Sequence, residues 1–201
     1  SLMQLISTSS GFRQQNLITM EFSLPIPQGQ MSLGASDLAH QVHLLDDITA
    51  RLRAIPGVEM VGVAGAMPVA AGDDLPDGDF LILNGQRPPT NFDEFGRIGQ
   101  NRSQRGHALY AVAGEDYFRT MGIPLLRGRM FGEQDSFDSP QVAVISESLA
   151  RQRWPNQNPI GQVIDFGNMD GDLRPLTIVG IAGDVRARGL NFPPSPIIYV
   201  D

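Results

Sequence analysis

Four carboxylates, Asp73, Asp74, Asp77 and Asp79, crowd the run DDLPDGD, and oxygen ligands at that density suit a calcium ion. A calcium loop aligned on Gly78, however, sets Leu75 at the third ligand position and Asn84 where a bidentate glutamate must close the loop. The run reads as a solvated loop. NMDGD, with Thr177 at its closing position, reads as a hairpin turn centred on Asp170 and Gly171. His40 and His43 stand three apart on a predicted helix and could share a metal. Their phase puts them opposite Leu38 and Leu45, beside Asp47 and Arg51, with no third ligand specified. His107 sits in a polar loop without a partner.

A serine hydrolase of the elbow type frames its nucleophile with glycines after a strand. VISES offers Ser146 and Ser148 after a strand but no glycines, and Ser146 with Glu147 more simply starts a helix. Glu115 and Asp116 are neighbours in an acidic chain, with nothing to make one an acid and the other a base. The stretch DYFRTMGIPLLRGRMFGEQD sets Arg119, Arg127 and Arg129 among Gly122, Gly128 and Gly132. It has neither GxGxxG nor GxxxxGKS/T spacing, and its glycines follow a helix end instead of opening a helix, so it predicts a helix stop and then a strand. No residue is assigned as catalytic, cofactor-binding or metal-ligating, and no cofactor is expected.

Composition narrows the chemistry further. The 201 residues contain no cysteine, and all 15 basic residues are arginine. Disulfides, thiolate ligands, Schiff bases and the phosphate-loop lysine are thereby excluded. A net charge of −7 disfavours nucleic acid, whose binding needs clustered positive charge. No run reaches the ~20 apolar residues that cross a bilayer.

These residues need elements to hold them. NLITMEFSLP, residues 16–25, alternates apolar and polar side chains and predicts a half-buried strand. Ser36 opens an amphipathic helix over 37–55, with Leu38, Val42, Leu45, Ile48, Leu52 and Ile55 on one stripe and Pro56-Gly57 ending it. VEMVGVAGAMPV predicts a second strand, completing a βαβ unit, and a boundary falls near Gly72. Beyond it, Phe80–Leu83, ALYAVAG, LLRGRMF, QVAVIS, GQVIDFG and PLTIVGIAGDV predict strands, with short helices in EDYFRTMG and ESLARQRW.

Taken in order, LRAIPGVEMVGVAGAMPV, EDYFRTMGIPLLRGRMFGEQD, PQVAVISESLARQRWPNQNPIGQVIDFG and LTIVGIAGDVRARGLNFPPSPIIYV closely resemble the MacB-like periplasmic core domain of ABC transporter permeases, especially duplicated permeases that lack a fused ATPase domain. The resemblance covers residues 11–200. It implies an α+β fold of two lobes: a porter-like βαβ unit over 11–72, and a smaller mixed, strand-rich, sabre-like lobe with two short helices over 73–201.

It further implies a non-catalytic domain on the periplasmic side of a bacterial inner membrane, moved by ATP hydrolysis in the cytoplasm. The implied partners are the transmembrane helices of its own permease, indirectly a cytoplasmic ATPase subunit, and a periplasmic adaptor or second permease copy, with no nucleic acid. Relatives continue past IIYV into a second porter βαβ unit, so the chain is expected to be part of a longer protein. FDEFGRIGQNRSQRGH is longer than the family pattern and is expected to be a variable surface loop. Two alternatives stand beside this reading: a free-standing periplasmic binding or adaptor module, and a hydrolase or calcium-dependent enzyme using Asp73–Asp79.

Overall fold

In the computed structural model, residues 9–23, 35–65, 67–68, 76–135, 139–167 and 173–201 are described. Three runs rich in β-branched residues are strands buried nearly end to end: β4 (Val142–Ser146), β6 (Leu176–Ala182) and β7 (Ile197–Val200). Continuous burial of this kind marks strands covered on both faces. Side chains alternate between the faces. Ile198 and Val200 join one apolar cluster while Ile197 and Tyr199 join another, and Ala143 and Ile145 part from Val144 in the same way.

The sheet is completed by β1 (Asp77–Ile82), β2 (Arg105–Val112), β3 (Leu125–Gly128) and β5 (Val163–Asp165). Its order is β3-β6-β4-β7-β2-β1-β5, and β5 pairs in addition with β6. That last pairing, Val163 with Thr177 and Ile164 with Leu176, closes six strands into a ring with β3 outside it. Pairings β2–β7 and β4–β6 are parallel; the rest are antiparallel. Phe80, Ala108, Ile145, Ile164, Ile178 and Ile198, one from each ring strand, belong to a single cluster, which is therefore the inside of the ring. Ile178 and Ile181 both face inward because the register shifts along β4–β6, where one extra residue resets the alternation.

The outer face of β4, β7 and β2 is covered by α3 (Tyr117–Met121), whose Tyr117, Phe118 and Met121 are all buried. Gly122, at φ 64°, ends this helix in the left-handed conformation, and its N–H bonds back to Arg119 and Phe118 carbonyls. Pro124 then prevents resumption. The other helices are α1 (Ala35–Arg53), α2 (Phe92–Ile98) and α4 (Glu147–Arg153). Leu149 of α4 and the following Trp154 join the inner cluster.

The N-terminal part departs from the strand–helix–strand expectation. The helix forms, but residues 17–23 carry no strand, and Ile18 is 91% exposed. Residues 24 and 25 of the predicted strand lie outside the described residues. Alternation is compatible with a strand but not sufficient for one, because main-chain groups also need a pairing neighbour. No backbone hydrogen bond joins residues 17–23 to other described residues. Among its described residues the second predicted strand is reduced to one bridge, Ala64 to Ala113, flanked by Gly65 N–H to the Val112 carbonyl and Gly114 N–H to the Val63 carbonyl.

The stretch expected to be a polar loop is instead partly helical. Asn91 caps α2 by accepting the Glu94 N–H at 2.9 Å, and Phe95 lies against Gly167, where a Cβ would meet its ring at 2.7 Å. An aromatic anchor under a polar helix was masked by the surrounding Arg, Gln and Asn. Among the described residues no helix is long and apolar enough to cross a membrane.

Candidate functional site

Ser146 and Ser148 come closest to a catalytic arrangement. β4 delivers Ser146 to the N-cap of α4, where it is fully buried. Its Oγ accepts the Leu149 N–H at 3.3 Å and the Ile197 N–H at 2.9 Å, and it shares a hydrogen bond with Ser148 Oγ at 3.0 Å. Both acceptor lone pairs of the hydroxyl are thus engaged. Asp184, from the segment after β6, accepts the Ser148 N–H at 2.7 Å and an Arg151 Nη at 2.8 Å. Arg151 also pairs with Glu147 at 2.8 Å. An activated serine needs an adjacent base. The three histidines lie elsewhere, on α1 and β2, so this constellation staples α4 to β7 and to the 184 segment.

Asp184 was invisible as a partner in the sequence because 36 residues separate it from Ser148. The only sequence cue is a short acid behind a glycine near the end of the run PLTIVGIAGDV, a pair that ordinarily marks a turn.

The acidic run resolves differently. Asp73 and Asp74 lie outside the described residues, as do Asp170 and Gly171. Asp77 and Asp79 sit on β1, and Asp79 is the cross-strand partner of His107. His107 Nδ1 lies 3.2 Å from Asp79 and Nε2 3.5 Å from Asp77. Arg105 pairs with Asp79 at 2.5 Å and Arg188 with Asp77 at 2.9 Å. Thus His107, expected to be alone in a loop, lies on β2 between two carboxylates in an exposed polar chain. Exposed pairs of this sort contribute about 0–1 kcal/mol each. Among the described residues no three His, Asp or Glu side chains are placed to hold a metal. His40 and His43 are exposed on α1.

The arginine-rich stretch is also accounted for by local pairing. Arg129 grips Asp135 with both Nη atoms, at 2.5 and 2.8 Å, and the Gly132 N–H adds a third donor at 3.1 Å. The Arg129 guanidinium holds the Asp135 carboxyl below its ordinary range. Arg119 reaches Asp116 at 3.1 Å, and Arg53 at the end of α1 reaches the same carboxylate at 2.9 Å. Asp116 therefore ties α1 to α3, while its neighbour Glu115 takes no part. On α2 the Thr90 N–H, then the Arg87 guanidinium and the Thr90 hydroxyl, pull Glu94 down to about 2.

The surface depressions are wide open. One is floored by Gly11, Gly122, Pro124 and Gly183, and another is edged by Arg102, Arg105, His107 and Arg153. The arrangement as a whole holds elements together.

A macrolide export ATP-binding/permease protein MacB from Aggregatibacter actinomycetemcomitans is 34% identical over 89 residues, 44% of this chain and 13% of the relative. The protein of that name from Agrobacterium fabrum is 41% identical over 76 residues, 37% of this chain and 11% of the relative. The aligned part of the chain thus spans a small fraction of those proteins' length. Among solved structures, the periplasmic region of MacB from Actinobacillus actinomycetemcomitans aligns at TM-score 0.48 and 20% identity, covering 77% of this chain and 53% of the other. The extracellular domain of the noncanonic ABC-type transporter YknZ from Gram-positive bacteria aligns at TM-score 0.44 and 13% identity, covering 77% and 60%. The sequence profile of the MacB-like periplasmic core domain matches residues 8–201, nearly the whole chain, and the chain belongs to that family.

Proposed function

We propose that the chain is the periplasm-facing domain of an ABC transporter permease of the bacterial inner membrane, and that it relays movement without catalysing a reaction. The observation that carries this reading is the family profile over residues 8–201. The geometry supports it: the side chains that could have done chemistry, Ser146, Asp184 and Asp116, each hold two segments together. A closed ring with both faces of β4 and β7 covered supports a stiff body that moves as one.

In this reading residues 11–72 form the porter-like part and 73–201 the mixed, sabre-like lobe. The domain is moved by the transmembrane helices of its own permease, and through them by a cytoplasmic ATPase subunit. A periplasmic adaptor or a second permease copy meets it on the outside.

The domain's lack of cysteine makes the test simple. Asn191 is exposed, and Asn191→Cys in the full-length permease supplies the domain's sole thiol. A maleimide that passes the outer but not the inner membrane is expected to label it in intact cells. Labelling only after the inner membrane is opened overturns the placement.

A further inference from the structure

The segment that leads into the domain does not run first to α1. Residues 9–13 lie across the ring lobe and are clamped there by main-chain contacts. The Arg186 N–H donates to the Ser10 carbonyl at 3.0 Å, Arg186 Nε donates to the Ser9 carbonyl at 3.1 Å, and the Arg13 N–H donates to the Met121 carbonyl at 2.7 Å. Ser10 is 4% exposed, and its Oγ closes a local turn on the Phe12 carbonyl at 2.9 Å. Phe12 and Leu17 pack on the outer apolar cluster.

Gly11 makes this docking possible. It sits at φ 86°, and a Cβ there would run into the Asp184 carbonyl oxygen. Asp184 is also the residue whose side chain holds the first turn of α4, through Ser148 and Arg151. One residue thus has its main chain under the strap and its side chain on α4. At the other end of the strap, Arg13 bonds the last residue of α3 and stands over the Gly122 cap.

From this we infer that residues 9–13 are the point where movement enters the domain, delivered through Asp184 to α4 and through Met121 to α3, with α1 a side branch. The inference rests on the relay reading and adds a route to it. α1 makes a poor route: among its side chains from His40 onward none is buried, and its last turn is tied by the exposed Arg53–Asp116 pair. An exposed ion pair is weak and screened by salt. The strap, by contrast, rests on main-chain bonds, one of them beside a buried serine.

The test uses amide hydrogen exchange on the full-length permease assembled with its ATPase, with and without a non-hydrolysable ATP analogue. In the parent protein the Arg13 and Arg186 amides are expected to be protected, and the analogue is expected to change exchange at Ser148. Gly11→Val is expected to speed exchange at Arg13 and Arg186 by roughly tenfold or more while Ile145 and Ile198 stay protected, and to abolish the response at Ser148. Gly11→Ala, whose Cβ meets the same Asp184 carbonyl without the added branch, is the second variant should Gly11→Val fail to fold, and is expected to abolish the same response. Random-coil exchange at Arg13 and Arg186 in the parent overturns the strap. A Ser148 response that survives strap release overturns the route and leaves the relay standing. No response anywhere in the domain, with the strap protected, overturns the relay instead.

Discussion

Phe80 lies directly over Gly106, its cross-strand partner on β2, so closely that any side chain at position 106 would occupy the volume of the ring. Phe80 also stacks on Phe166, at 6.3 Å between centroids and 6° between planes. The missing side chain at Gly106 is therefore the space that an inward aromatic fills.

Gly106→Ala is expected to lower stability by about 1–3 kcal/mol through overpacking. Phe80→Ala is expected to cost about 3–5 kcal/mol through the opposite fault, a cavity. Urea denaturation of both variants checks the pair. A neutral Gly106→Ala contradicts the packing described.

Ser146→Ala removes the cap of α4 and strands the buried Ile197 N–H. The expected loss is about 1–3 kcal/mol, read as a fall in thermal midpoint. Ser146→Thr keeps the oxygen and is expected to recover part of that loss.

The Arg129–Asp135 clamp carries a pH signature. Asp135 titrates below its ordinary value of 3.8 in the fold, chiefly because of the Arg129 hydrogen bonds. A depressed carboxylate contributes stability in full above its unfolded value and loses it as the pH falls through the folded one. Asp135→Asn is therefore expected to be less stable than the parent at neutral pH by about 1–3 kcal/mol. The two urea midpoints should converge in acid below about pH 4. A gap that persists unchanged at low pH contradicts an ionic origin.

α1 should be the most loosely held of the long elements. Val42 is 55% exposed and Leu44 36%, and the half-buried stripe is Leu45, Ile48 and Leu52. Amides of α1 are expected to exchange at least about tenfold faster than those of β4 and β7 in the isolated chain, since local opening follows buried contact. Equal protection would place α1 in the same cooperative unit as the ring.

Where structure follows from short-range pattern, the sequence was informative. The stripe beginning at Leu38 predicted α1 to within two residues of its observed Ala35–Arg53 span. Gly122 followed by Pro124 predicted the end of α3, and the β-branched runs predicted β4 and β6. The mixed α+β class, which the family resemblance implied, is the class observed. Features made by distant residues were not legible. Nothing local says that β5 bonds both β1 and β6, that Asp184 holds α4, or that Asp79 faces His107. The strand expected over 16–25 illustrates the same limit from the other side. Ile18, Met20 and Phe22 have the right period, yet a strand's existence depends on a neighbour that no single segment can supply.

The pairing of β5 with both β1 and β6 bears on how the domain carries load. An open sheet under tension unzips from whichever border is least held, one rung after another. A hoop offers no such starting point: strain applied anywhere spreads around the circumference, and rupture requires several rungs to give way together.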